Sequence, residues 1–270
     1  MSVTATRRRK PVDRAPTSRS SRRAAPLVAP QDYAHYSATP WASLLFILPL
    51  LLLHEIGIAL YGGLPPASEH RITAFVLMAR FFDRVGATAP FLPAMAIITI
   101  LLMWHIATEE GGLARGGWNI RPRAIFAMGA ESLAWAVPLI GIYYIFGPSQ
   151  VQFAPAGDRK LMASLYLGAG IYEEAAFRLA GFALLSLLLV DVSGLTTRWA
   201  TPIVVLAAAI GFSAYHLLGD VGWPWQAFVF TGLRGVYYGI IFIERGFGVT
   251  VGVHTTYDLL YLLQSDLVRR

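Results

Sequence analysis

"LMASLYLGAGIYEEAAFRLAGFALLSLLLV", residues 161–190, decides the fold class. It is apolar along almost its whole length, and it exceeds the roughly 20 residues that a helix needs to cross a bilayer. Near its centre stand Glu173, Glu174 and Arg178. An ionisable side chain at mid-bilayer costs at least about 2.5 kcal/mol, so such groups face protein and find partners. The stretch predicts a membrane helix that turns a polar face into a bundle.

Composition extends this reading to the whole chain. Of its 270 residues, 56% are hydrophobic and 14% charged, where soluble domains average roughly a quarter charged. Mean hydropathy is +0.54. Six further runs have spanning length: 41–61, 87–107, 124–146, 200–218, 225–243 and 249–267. The run 72–85 is shorter, carries Arg80, Asp83 and Arg84, and reads as interfacial, re-entrant or an eighth span. The expected fold is an all-α, polytopic membrane helix bundle with seven or eight transmembrane helices. The count sets the side of the C-terminus, and no count satisfies the basic loops at Arg115, Arg121 and Arg123 and the terminal Arg269 and Arg270 together.

Eight of the 22 basic residues lie in the first 23 positions, opposed by Asp13 alone. With its Pro, Ser and Ala, this segment has little to bury. Residues 1–39 are therefore expected to be a disordered basic tail, cytoplasmic by the positive-inside rule. Such a tail can also touch anionic head groups, and its composition is shared by organellar transit peptides. Without interleaved aromatics it does not point to nucleic acid. Residues 40–158 contribute N-terminal transmembrane helices, and 159–270 form the unit that carries the motifs. The Ala- and Arg-rich composition suggests a bacterial cell membrane. The absence of cysteine excludes disulfides, thiol catalysis and Cys-ligated metals.

Ten ionisable residues stand out in the expected spans: His54, Glu55, Glu131, Glu173, Glu174, Arg178, His216, Arg234, His254 and Asp258. That number predicts a polar, water-accessible cavity. Residues four apart share a helix face. Glu174 and Arg178 are so spaced, as are His254 and Asp258, and Phe212 and His216. Glu173 diverges from Glu174 by about 100°, so one carboxylate can pair with Arg178 while the other faces the cavity. Antiparallel order of the spans puts Glu173 and His216 at similar depth, with His254 able to reach them. A carboxylate and two histidines could then surround one water.

Three motifs in this half carry a resemblance: "EEAAFR" (173–178), "FSAYH" (212–216) and "HTTYD" (254–258). Together, in this order and each in a membrane helix, they resemble the EExxxR, FxxxH and HxxxN/D pattern of the CPBP family. That family comprises the CAAX prenyl endopeptidases and the Abi-type membrane proteins. The likeness covers about residues 160–265. It implies a glutamate-dependent intramembrane endopeptidase in which Glu173 is the general base, His216 helps hold the water, and His254 and Asp258 bind the oxyanion. Glu174 and Arg178 brace the site. The prenyl endopeptidases have Asn where this chain has Asp258. An ionised carboxylate cannot donate a hydrogen bond, so Asp258 would have to be kept protonated or, as favoured here, orient His254. Leu179 stands where the family often has Gly, a change that concerns packing.

The resemblance requires no cofactor. Zinc held by the two histidines and a carboxylate is the competing chemistry, although no H-E-x-x-H helix is present. A non-proteolytic scaffold or immunity protein and a transporter are the readings from other classes. The expected partners are a peptide or membrane-protein substrate and the lipid bilayer. The Gly235/Gly239 pair has helix-packing spacing. His54 and Glu55 read as packing or snorkelling groups, Glu131 and Arg234 as partners of each other or of the site. His35, His70 and His105 read as solvated, and Trp223 and Trp225 as interfacial anchors.

Overall fold

The structure, a computed structural model, describes residues 30–62, 71–108, 118–146, 158–217 and 225–268. The tail to residue 29, His70, Arg115, Trp223 and the two terminal arginines lie outside them. The described residues form helices joined by turns. These are α1 (Pro30–Ser37), α2 (Pro40–Tyr61), α3 (Thr73–Arg84), α4 (Leu92–Ala107), α5 (Pro122–Phe146), α6 (Arg159–Val192), α7 (Thr197–His216) and α8 (Trp225–Val268). Five runs, α2, α5, α6, α7 and Trp225–Gln264 of α8, are long and apolar enough to cross a membrane. The protein is an all-helical polytopic membrane bundle.

The last run is two helices. Gly246 alone leaves helical geometry, at φ 80° and ψ 178°. In a continuous helix Tyr238 and His254 would stand roughly 24 Å apart at 1.5 Å per residue. Their rings instead stack at 4.7 Å, and Arg234 reaches Asp258 at 3.6 Å. Both pairs are placed evenly about Gly246, so 225–245 and 247–268 form an antiparallel hairpin. Counting these two arms with the other four runs and the shorter α4 gives seven passes among the described residues. α4 has 16 residues because residues 87–91 lie outside the helix. α3, with 12 residues, reaches only about 18 Å and does not make an eighth span across a core of about 30 Å.

The hairpin turn is pinned by polar contacts that composition conceals. Residues 30–39, assigned to the tail, are instead α1 and the Thr39 cap of α2, whose side chain accepts from the Ala42 N–H. Arg245 donates to Glu131 Oε1 at 2.6 Å and to Ser37 Oγ at 2.9 Å. The Tyr33 hydroxyl donates to the other oxygen of Glu131. A Cβ at Gly246 would lie 2.9 Å from the Ala38 carbonyl oxygen, in a backbone region that is essentially glycine-only. Gly246→Ala is expected to destabilise the protein by about 2–3 kcal/mol, read as a lower thermal unfolding midpoint in detergent. An unchanged midpoint would refute this account of the turn.

The two larger apolar clusters pack the helices that carry the polar residues. One joins Ile47, Leu51, Phe75, Ile97, Leu101, Tyr172 and Leu179 with Val251. The other joins Met128 and Leu139 of α5 with Phe212, Tyr238, Val253 and Tyr257. Gly235 and Gly239 serve close packing: a Cβ on Gly235 would lie 2.9 Å from Ala209 Cα, and one on Gly239 would lie 3.2 Å from Val205. Leu179, in place of the family glycine, is buried in the first cluster.

Candidate active site

α6 is not a plain α-helix. After Glu174 it widens into a π-helical turn, Ala175–Ala180, and again at Leu187–Val192. A short α-helical stretch, Gly181–Ser186, separates the two. Such π-turns recur at functional sites. One turn before Glu174, Gly170 lets the hairpin approach, since a Cβ there would lie 2.1 Å from Thr255 Oγ1. This contact brings α6 and the second hairpin arm together beside the glutamates.

The two glutamates part as the helical geometry requires. Glu174 is fully buried. Its Oε1 accepts from Arg178 Nη1 at 3.1 Å and from His254 Nδ1 at 2.7 Å. A carboxylate only accepts, so His254 Nδ1 carries the donated proton. Arg178, also fully buried, donates from Nη2 to the Gly235 carbonyl at 3.0 Å. Its guanidinium lies 4.5 Å over the Phe212 ring. One cation thus ties α6, α7 and the first hairpin arm together.

Glu173 faces the other way. Its Oε1 accepts from the Tyr215 hydroxyl at 3.3 Å. Its Oε2 lies 3.6 Å from His216 Nε2 and 3.7 Å from His254 Nε2. His216 is oriented by its own turn, with Nδ1 donating to the Phe212 carbonyl at 2.8 Å. Phe212 fills the space beneath both imidazoles, 4.4 Å from His216 and 5.9 Å from His254. Tyr238 stacks on the opposite part of His254. Glu173 Oε2 is buried without a hydrogen-bond partner among the described protein groups.

All seven motif residues therefore meet in one place. The position that orients His254 through Nδ1 is held by Glu174. Asp258, assigned that task from the sequence, lies on the Nε2 side at 3.4 Å and pairs with Arg234 at 3.6 Å. Glu131 and Arg234 are not partners of each other: Glu131 holds Arg245 and Arg234 belongs to the site. Glu55 pairs with Arg71 at 2.8 Å and accepts from Tyr172, while His54 Nδ1 bonds the Ser164 carbonyl. Both have structural partners next to α3. His105, expected to be solvated, is 2% exposed and stacks on Trp41, because α4 presents it to the bundle rather than to the loop. His35 and Trp225 are exposed. Sequence reasoning missed Tyr215 and Tyr238, whose signal was only that they sit within one turn of named site residues. It also missed Arg245.

Fold and site define a polytopic membrane protein with a charged, histidine-rich centre. Residues 157–260 match the family described as type II CAAX prenyl endopeptidase Rce1-like. Over these residues the chain is similar to that family of membrane proteases, and its long apolar helices make it an integral membrane protein. No curated protein and no solved structure matches the chain.

Proposed function

We propose that the protein hydrolyses a peptide bond within the membrane, with water activated by Glu173. The observation that carries this reading is the convergence of His216 Nε2 and His254 Nε2 on Glu173 Oε2, at 3.6 and 3.7 Å. Separations just beyond direct hydrogen bonding suit a water held among the three groups. Glu173 accepts a proton from that water as its oxygen bonds to the substrate carbonyl carbon. The carbonyl oxygen becomes an oxyanion, stabilised by a proton donor at His254 Nε2. Glu173 then passes the proton to the departing nitrogen as the C–N bond breaks, yielding a carboxylate and an amine. Glu174 fixes His254 through Nδ1, the job an acid performs for a catalytic histidine elsewhere.

The metal-free version is the reading put forward, and zinc held by the two histidines and a carboxylate is the chemistry it is tested against. The substrate is a peptide or membrane-protein segment entering from the bilayer, and prenylated C-terminal peptides are the class that the family name suggests. The proposed location is a bacterial cell membrane, with the N-terminus cytoplasmic. The test is cleavage of internally quenched peptides, farnesylated and unmodified, by purified protein in detergent, with and without EDTA. Cleavage that survives EDTA supports the proposal. Loss to EDTA with recovery on adding zinc would replace it with metal chemistry, and no cleavage of any peptide would overturn it.

A further inference from the structure

Asp258 presents a chemical difficulty that the rest of the site resolves. It occupies the place from which an asparagine amide could donate to an oxyanion, yet an ionised carboxylate has no proton to donate. Across the hairpin stands Arg234, placed opposite Asp258 by the turn at Gly246. Its Nη2 lies 3.6 Å from Asp258 Oδ1, and its side chain is only 12% exposed. The guanidinium lies 4.5 Å over the Tyr257 ring, with Tyr238 and Phe230 beyond. Its Nε is buried and has no hydrogen-bond partner among the described protein groups. Arg234 also lies within electrostatic reach of His216.

An arginine so placed is more than a counter-ion. Guanidinium carries five N–H donors in a fixed plane and keeps its charge under all ordinary conditions. The 3.6 Å contact to Asp258 is longer than a direct hydrogen bond, Nε has no partner among the described protein groups, and the Tyr238 hydroxyl is the other side-chain group within its reach. We propose that Arg234 is a catalytic residue that, anchored by Asp258, supplies the second oxyanion donor beside His254. The proposal rests on the hydrolytic reading above. Asp258 here is a positioning residue: it holds the guanidinium and offsets its charge in a low-dielectric site. The pair replaces one neutral amide, which accounts for an aspartate at this position without requiring it to be protonated.

The test compares Arg234→Gln, Asp258→Ala, Asp258→Asn and Arg234→Gln/Asp258→Asn on the quenched peptide that the wild type cleaves best. Loss of an oxyanion donor lowers kcat by about 10²–10³-fold. Arg234→Gln, whose amide ends two bonds short of the guanidinium Nη atoms, should show that loss with KM little changed. Asp258→Ala, which keeps the donor, should lose about tenfold or less on the same reasoning. The double variant should regain most of the activity, because its new amide can donate. A dead Asp258→Ala, or a double variant no better than Arg234→Gln, overturns the proposal.

A second readout does not need turnover. A peptidyl phosphinate, whose anionic oxygen mimics the oxyanion, should bind wild type more tightly than the parent peptide does. Arg234→Gln should lose that advantage and keep its affinity for the peptide. Equal phosphinate binding by wild type and variant also overturns the proposal. The two readings separate through Glu173→Gln. Should that variant still cleave while Arg234→Gln does not, water activation by Glu173 fails and Arg234 stands. Should Glu173→Gln be dead and Arg234→Gln fully active, Arg234 alone fails.

Discussion

Glu173→Gln is expected to lower kcat by about 10³- to 10⁴-fold, in the upper part of the range that a general base contributes, while the protein remains folded. The substitution is close to isosteric. The amide oxygen can still accept from Tyr215, which donates to Glu173 at 3.3 Å. What disappears is a group able to take a proton from water. The histidines on its other side are 3.6 and 3.7 Å away, so no tight ion pair is broken and the unfolding midpoint should stay near that of wild type. Turnover and thermal unfolding of the same detergent preparation check both halves. A variant that cleaves within tenfold of wild type removes Glu173 from the chemistry. An inactive variant that has also unfolded would not discriminate, so His216→Asn is measured alongside. It removes the ring nitrogen nearest Glu173 Oε2 from a partly exposed residue, 31% by its side chain, and should lose activity without losing the fold.

These expectations show what could be read from the sequence and what could not. Glu173 and Glu174 were separable because adjacent helical residues diverge by about 100°, and the i,i+4 step gave Arg178 its partner. The helical class followed from apolar run length alone. That Glu173, His216 and His254 could meet was legible from depth, but which atoms of distant helices pair was out of reach. That His254 spends Nδ1 on Glu174, and leaves Asp258 to Arg234, depends on the close approach at Gly170 and the turn at Gly246. Neither glycine is distinguishable in sequence from the other 23. The same limit applies to residues 30–39. Their composition resembles a linker, and what makes them part of the fold is the Glu131–Arg245 pair that they cover and the burial of Tyr36 in a core cluster. His105 misled for a related reason: a helix-end histidine looks solvated until the aromatic rings that enclose it are known.

Arg178→Met is expected to cost about 3–5 kcal/mol of stability, the usual penalty for breaking a buried ion pair from one side. Glu174 and Arg178 are both fully buried, so the remaining carboxylate would be left with His254 alone to compensate it. Removing the charge from both sides is a different case. Glu174→Gln/Arg178→Met has no stranded ion, its amide oxygen can still accept from His254 Nδ1, and Met fills much of the guanidinium stem's volume. Replacing a whole buried pair by neutral groups is often close to neutral, so the double variant should recover most of the lost stability. Thermal unfolding and membrane-fraction abundance of the two variants measure the difference. Additive destabilisation, with the double variant worse than Arg178→Met, would mean that the bond from Arg178 to the Gly235 carbonyl matters more than the charge pair. Activity should not return with stability: once Glu174 is neutral, the charge that orients His254 is gone. A folded double variant with low turnover would thus separate the brace from the base, leaving Glu173 the carboxylate on which water activation depends.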